Sequence, residues 1–252
     1  MTLNVTKTNL KEILNLRNLF LQENNFQIRY HACHERGWSD SYIFIYNNEK
    51  IGYGSIKSNG NLNDRDTVFE FYLTPSFRNL SSIVFSELLR SSKAAIIECQ
   101  SNDLLLTSLL YQYGQNVNSN MILFEDNFTS DIKADTTLFR KRNDNDIVFE
   151  HSLEPVGDYV LEVNKHIVAT GGFLLHYNMP FADLYMEVEE DYRKKGFGSF
   201  LIQELKRQCY LTGRVPSARC NIDNVASRAT LTKAGLRTAG FLLFGQVKLS
   251  KE

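Results

Sequence analysis

Proline is scarce in this chain, with 4 in 252 residues, and glycine numbers only 14. That excludes a collagen-like or linker-rich protein and predicts regular elements joined by short connections. Cysteine is equally sparse, at Cys33, Cys99, Cys209 and Cys220. No C-x-x-C pair occurs, so neither a disulfide framework nor a common zinc pattern is expected, and the thiols read as reduced. Neither sign of charge dominates, with 28 Lys+Arg against 29 Asp+Glu. A broadly basic nucleic-acid or membrane-surface binder is thereby excluded. No apolar run reaches the roughly 18 residues that a membrane span needs. The opening residues, MTLNVTKTNLKEI, lack the apolar stretch of a secretory signal. The expectation is a soluble, cytoplasmic protein with no nucleic-acid or membrane partner; its oligomeric state is left open.

What the chain does have is core material: 43% hydrophobic residues, with 17 Phe and 12 Tyr. The length suits about 1.7 domains of typical size. Periodicity predicts a helix over 8–26, a hairpin of strands 41–46 and 51–56, and a strand over 66–73. A helix over 80–89, a strand over 94–99, a helix over 104–113 stopped by Gly114, and a strand over 121–125 follow. The same order then recurs: strands 159–163, 167–175 and 181–188, a helix over 197–211, a strand over 217–221, a helix over 225–234 stopped by Gly235, and a strand over 241–249. Residues align as well. Asn48-Glu49-Lys50-Ile51 stands against Asn164-Lys165-His166-Ile167, Phe77-Arg78 against Tyr192-Arg193, and Cys99 and Gly114 against Cys220 and Gly235. The chain reads as two copies of one α/β unit, 1–127 and 128–252, joined in the polar stretch 126–135.

Chemistry concentrates in the second copy. A strand ends at Met186-Glu187-Val188. The basic turn Arg193-Lys194-Lys195-Gly196-Phe197-Gly198-Ser199 follows, and an amphipathic helix begins at once. Free amides at a helix start, glycines without a Cβ, and three cations make a cradle suited to a pyrophosphate. The pattern is R-x-x-G-x-G, so it is neither a Walker A loop nor a Rossmann fingerprint. In the first copy the same place reads Arg78-Asn79-Leu80-Ser81-Ser82-Ile83. Both glycines are gone, and no pyrophosphate is expected there.

Arg193-x-x-Gly196-x-Gly198 after a strand resembles the pyrophosphate motif of the GNAT superfamily of N-acetyltransferases. The stretch Asn224-Val225-Ala226-Ser227-Arg228 through Leu231 to Lys233-Ala234-Gly235-Leu236 is similar to that family's second segment. The resemblance covers 155–252 well. Over 1–127 it covers only the order of elements, as in a tandem protein whose N-terminal copy is degenerate. It implies a mixed, mostly antiparallel sheet flanked by helices in each copy, splayed after the strand that ends at Val188. Met186, Glu187 and Val188 would hold the pantetheine of acetyl-CoA, Arg193 to Ser199 its pyrophosphate, and Asn224 and Ser227 the acyl end. The reaction would be acetyl transfer to an amine of a small molecule or peptide.

The chain departs from the family where acids and bases usually stand. Those positions fall on Ala182, Arg219 and Leu231. Asp183 is the substitute candidate, although on a regular strand it faces the other way unless a bulge re-aims it; His176 is a fainter one. A non-catalytic acyl-CoA-binding or regulatory module is therefore the alternative reading. His31-Ala32-Cys33-His34-Glu35 gathers possible metal ligands, but its spacing fits no common zinc site, and no metal is expected.

Overall fold

Two pairs of adjacent residues with side chains take positive φ, Asn47 and Asn48 at 47° and 70°, Asn164 and Lys165 at 50° and 68°. Two consecutive left-handed residues make the hairpin turn whose twist matches that of the flanking strands, and Asn tolerates the conformation best after Gly. In the computed structural model, which describes Thr2–Lys248, these turns are two residues long. Each sits inside the same arrangement of elements.

The chain runs β1 (Leu3–Thr8), α1 (Leu10–Glu23), α2 (His31–Glu35), β2 (Ser39–Tyr46), β3 (Glu49–Lys57), β4 (Thr67–Leu73), α3 (Ser81–Ser92), β5 (Ile96–Gln100), α4 (Leu104–Tyr113) and β6 (Gly114–Asp126). It continues with β7 (Thr137–Lys141), β8 (Tyr159–Val163), β9 (His166–Leu174), β10 (Phe181–Val188), α5 (Phe197–Leu211), β11 (Val215–Asn221), α6 (Val225–Lys233) and β12 (Leu236–Val247). Its contacts divide into two units. One comprises the residues up to Asn120 together with those from Gly240 onward, the other Met121–Ala239.

In the first unit β1, β2, β3 and β4 pair antiparallel in that order. β5 joins β4 in parallel, and residues 242–246 of β12 close the row antiparallel to β5. In the second unit β7, β8, β9 and β10 are antiparallel. β11 joins β10 in parallel, and residues 121–125 of β6 lie antiparallel to β11. Each sheet is thus mixed, mostly antiparallel and flanked by helices. The last strand of each copy differs from the sequence expectation. Periodicity assigns 121–125 to the first copy and 241–249 to the second, but the former pairs in the second unit and 242–246 pair in the first. Periodicity reports that a segment is a strand; it carries no information on which of two equivalent sheet edges receives it.

In the first unit α1 places Ile13 and Phe20 against Ile43, Tyr53 and Tyr72. On the opposite face Val84, Phe85 and Leu88 of α3 and Leu106 and Leu110 of α4 meet Phe44, Ile56 and Phe71. With both faces covered, every residue of β4 is buried, Glu70 included. In the second unit α5 buries Leu201, Ile202, Leu205 and Cys209. Its polar flank is buried too. Gln203 accepts from Ile132 N at 2.6 Å and from Ser130 Oγ at 2.9 Å, and Lys206 Nζ donates to Phe128 O and Ala234 O. These bonds strap residues 128–132 onto the helix. The units differ most between their first and second strands. The first unit has α1 and α2 there, whereas residues 142–158 between β7 and β8 form no helix.

Candidate active site

β10 and β11 pair from Phe181 to Leu184 and then separate. Tyr185 to Val188 keep their β9 partners and have no strand on the other edge. The separation begins within β10, four residues before Val188, where the sequence reading expected it. A cavity of about 490 Å³ opens beside this edge. It is lined by Met186, Glu187 and Val188 of β10, by Tyr192, Arg193, Lys194 and Gly196 of the turn, and by Phe197, Gly198 and Ser199 of α5. Asn224, Ala226, Ser227, Ala229, Thr230 and Lys233 of α6 complete it, with Leu153 and Glu154 from the loop before β8.

Every residue expected to hold CoA lines this cavity except Lys195, whose ammonium lies 4.8 Å from the centre of the Tyr192 ring. The helix starts as the motif requires. Gly196 caps α5 at φ 90°, Lys194 before it is at φ 63°, and no side chain caps the first amides of the helix. Those N–H groups, with the positive end of the helix dipole, are free for an anion. Gly198 has a different reason to be glycine. A Cβ there would stand 3.2 Å from Thr230 Cγ2 and 3.3 Å from Met186 Cε, so its absence lets α5 approach α6 and β10. The donors, the open strand edge and the cations Lys194 and Lys233 suit the pyrophosphate and pantetheine of a CoA thioester.

Arg193 also holds the end of the strand. Its Nε donates to Val188 O at 3.0 Å, and its Nη2 lies 3.8 Å from Glu187. Glu187 is itself fully engaged, accepting from the N–H groups of Ser152, Leu153 and Glu154 and from the Ser152 hydroxyl. Burial opposes its charge, but these donors hold the carboxyl below the ordinary value. The loop carrying Glu154 is thereby tied to β10. Asn224 caps α6, accepting from Ser227 N at 2.9 Å.

Asp183 does not line the cavity. The β9–β10 register runs without a bulge, so nothing re-aims it. It is buried, its Oδ2 accepts from Arg219 Nε at 3.1 Å, and burial pushes its pKa up to about 6. Among the cavity residues that the sequence reading missed is Glu154, which sits in a loop without periodicity. Lys233 and Thr230 were also missed, yet positions 226, 229, 230 and 233 form one stripe of α6 at helical spacing, and that signal was legible.

The first unit has the same strand separation and no cradle. β4 and β5 pair only through Thr67 and Val68. Beyond that, the buried Arg29 donates to Phe69 O and to Asp103 Oδ2, so a guanidinium occupies the open strand edge. In place of the glycine turn a 3-10 helix, Pro75–Leu80, runs straight into α3. Arg78 Nε donates to Leu73 O, as Arg193 does to Val188 O. His31 and His34 of α2 join Arg17 and Glu70: Arg17 Nη1 lies 3.0 Å from His31 Nδ1, and His34 Nε2 3.2 Å from Glu70. Among the described residues no three His, Cys, Asp or Glu side chains stand together as metal ligands, and no helix is long and apolar enough to cross a membrane.

Two family models match consecutive parts of the chain, an acetyltransferase (GNAT) domain over residues 9–127 and the acetyltransferase (GNAT) family over 122–236. Comparison with curated protein sequences gives no significant match. Among solved structures, an acetyltransferase of the GNAT family from Colwellia psychrerythraea superposes with a TM-score of 0.73 at 13% identity, covering 98% of this chain and 100% of its own. A tandem GNAT protein from the clavulanic acid biosynthesis pathway gives 0.62 at 9% identity, over 99% and 100%. A GCN5-related N-acetyltransferase from Sphaerobacter thermophilus gives 0.53 at 12%, over 83% and 81%. Identities this low carry the fold alone, but with the two family matches they establish that the chain is a tandem of GNAT-family acetyltransferase domains.

Proposed function

We infer that the second unit is an acyl-CoA-dependent N-acyltransferase, transferring acetyl from acetyl-CoA to an amine of a small molecule or peptide. The observation that carries this reading is the single cavity joining the open edge of β10 to the uncapped start of α5. The amides of Phe197, Gly198 and Ser199, with Lys194 and Lys233, would bind the pyrophosphate. Backbone groups of Met186 to Val188 would hold the pantetheine, and an N–H there would face the carbonyl oxygen where negative charge develops. Arg193 would keep the strand end in place, and Ser227 and Asn224 would flank the acyl end. Acetyl-CoA supplies a thioester carbonyl open to attack; the protein supplies position and proton removal.

One observation favours a second reading, a non-catalytic acyl-CoA-binding module: Ala182, Arg219 and Leu231 stand where acids and bases are usual in the family, and Asp183 is ion-paired. Release of free CoA thiol from acetyl-CoA, followed with alkyl, polyamine, peptide and aromatic amines, separates the two. Transfer requires thiol release that depends on the amine. Binding of acetyl-CoA in calorimetry with no release for any amine supports the module instead.

A further inference from the structure

We propose that Glu154 is the general base of this transfer, taking the proton from a primary ammonium at the acyl end of the cavity. The proposal rests on the acyltransferase reading above. Two carboxylates line the cavity, Glu154 and Glu187. Both Glu187 oxygens are filled by amides and a hydroxyl. Glu154 uses only its backbone in bonding: its N–H donates to Glu187 Oε2 at 3.0 Å, and its carbonyl accepts from His151 Nδ1 at 3.0 Å. Its carboxylate takes part in no hydrogen bond or ion pair with any described residue. The main chain is therefore fixed beside β10 while the side chain is left free at the cavity.

The surroundings suit the task. Glu154 is solvent-exposed at the mouth of the cavity, and the desolvation it does meet there holds its carboxyl above the ordinary value; Arg219 of β11 and His151 of the same loop oppose this, and Glu187 of β10 adds to it. Asp183 and Tyr185, also on β10, sense the Glu154 charge in turn. A base raised toward neutrality removes a proton more effectively than an ordinary carboxylate. Its negative charge also favours an acceptor that arrives as a cation, as alkylamines do at neutral pH.

The step balances as follows. The ammonium gives one proton to Glu154 and becomes the neutral amine. Its lone pair forms the C–N bond to the thioester carbon, and the C–S bond breaks with its electron pair on sulfur. The thiolate takes the second nitrogen proton to become free CoA thiol, and Glu154 returns its proton to water.

The test compares wild type, Glu154→Gln and Asp183→Asn in the thiol-release assay, using alkylamines that are charged at neutral pH and aromatic amines that are already neutral. Glu154→Gln is expected to keep its acetyl-CoA affinity in calorimetry. It should lose about 100-fold or more in kcat with alkylamines and little with aromatic amines. The acid limb of its kcat/KM profile should disappear. Equal losses with both amine classes, an unchanged acid limb, or a selective loss in Asp183→Asn with none in Glu154→Gln would overturn the assignment and leave the acyltransferase reading standing. A wild type that binds acetyl-CoA and releases thiol with no amine removes both.

Discussion

Arg78 and Arg193 each donate Nε to the carbonyl that ends the preceding strand, Leu73 and Val188. A glycine cradle follows the arginine in one copy, and in the other a 3-10 helix runs on into α3, so the bond from this arginine to the strand end does not depend on the cradle. The difference between the copies lies in the glycines. Gly196 is at a φ that costs a side chain conformational energy, while Gly198 is fixed by contact. An alanine at 198 would press on Thr230 Cγ2 and Met186 Cε at 3.2 and 3.3 Å, contacts that yield by a few tenths of an ångström. A glutamate would push its chain into the cradle and place a negative charge beside the free amides. Gly198→Glu is expected to weaken acetyl-CoA binding by about 100-fold or more, near 2.7 kcal/mol, with little change in melting temperature. Calorimetry and thermal unfolding on the same sample check this, and unchanged affinity would remove the turn from the binding site.

At the scale of elements, the first unit is held by a buried ionic junction. Glu70 on β4 accepts from Arg17 of α1, lies 3.2 Å from His34 of α2, and accepts from Tyr53 of β3 at 2.9 Å. Burial works against its charge most, yet Arg17 and His34 hold its carboxyl well below the ordinary value of 4.5. The unfolded chain then binds more protons than the fold, so this contribution is complete above pH 4.5 and is lost as pH falls toward the folded value. Glu70→Gln leaves Arg17 buried without its counter-charge. It should cost about 3–5 kcal/mol at neutral pH and flatten the acid side of the stability profile; denaturant melts across pH measure both. None of this junction was legible in the sequence, because its members lie up to 53 positions apart and share no period. The elements were legible where pattern and punctuation agree. The helices at 104–113 and 197–211 and the strand at 181–188 stand where periodicity puts them. Three elements escaped: β1, the five-residue α2, and β7, each too short or too polar to show a period. The cradle was legible because backbone geometry there demands particular residues. Glu154 was not, because a free carboxylate in a loop demands nothing of its neighbours.

For the whole molecule, the placement of the last strands decides which pieces of the chain can fold. Cutting at the apparent joint of the repeat yields 128–252, which carries every residue of the proposed CoA site but lacks 121–126. That fragment loses the strand paired with β11 and, with it, Ile122, Leu123 and Phe124, which are 3%, 0% and 0% exposed. Burial of such side chains contributes roughly 1.5–3 kcal/mol each, so together they rival the whole net stability of a domain, about 5–15 kcal/mol. Asp126 goes as well, leaving Lys206, nearly buried, without the carboxylate 2.5 Å away. The fragment 121–239 keeps this strand, the 128–132 strap and the complete cavity lining. It is expected to fold and bind acetyl-CoA, whereas 128–252 should not fold at all. Circular dichroism and calorimetry on the two fragments test this. A folded, binding-competent 128–252 would show that the 121–125 strand is dispensable and that the second copy closes its sheet with its own last strand.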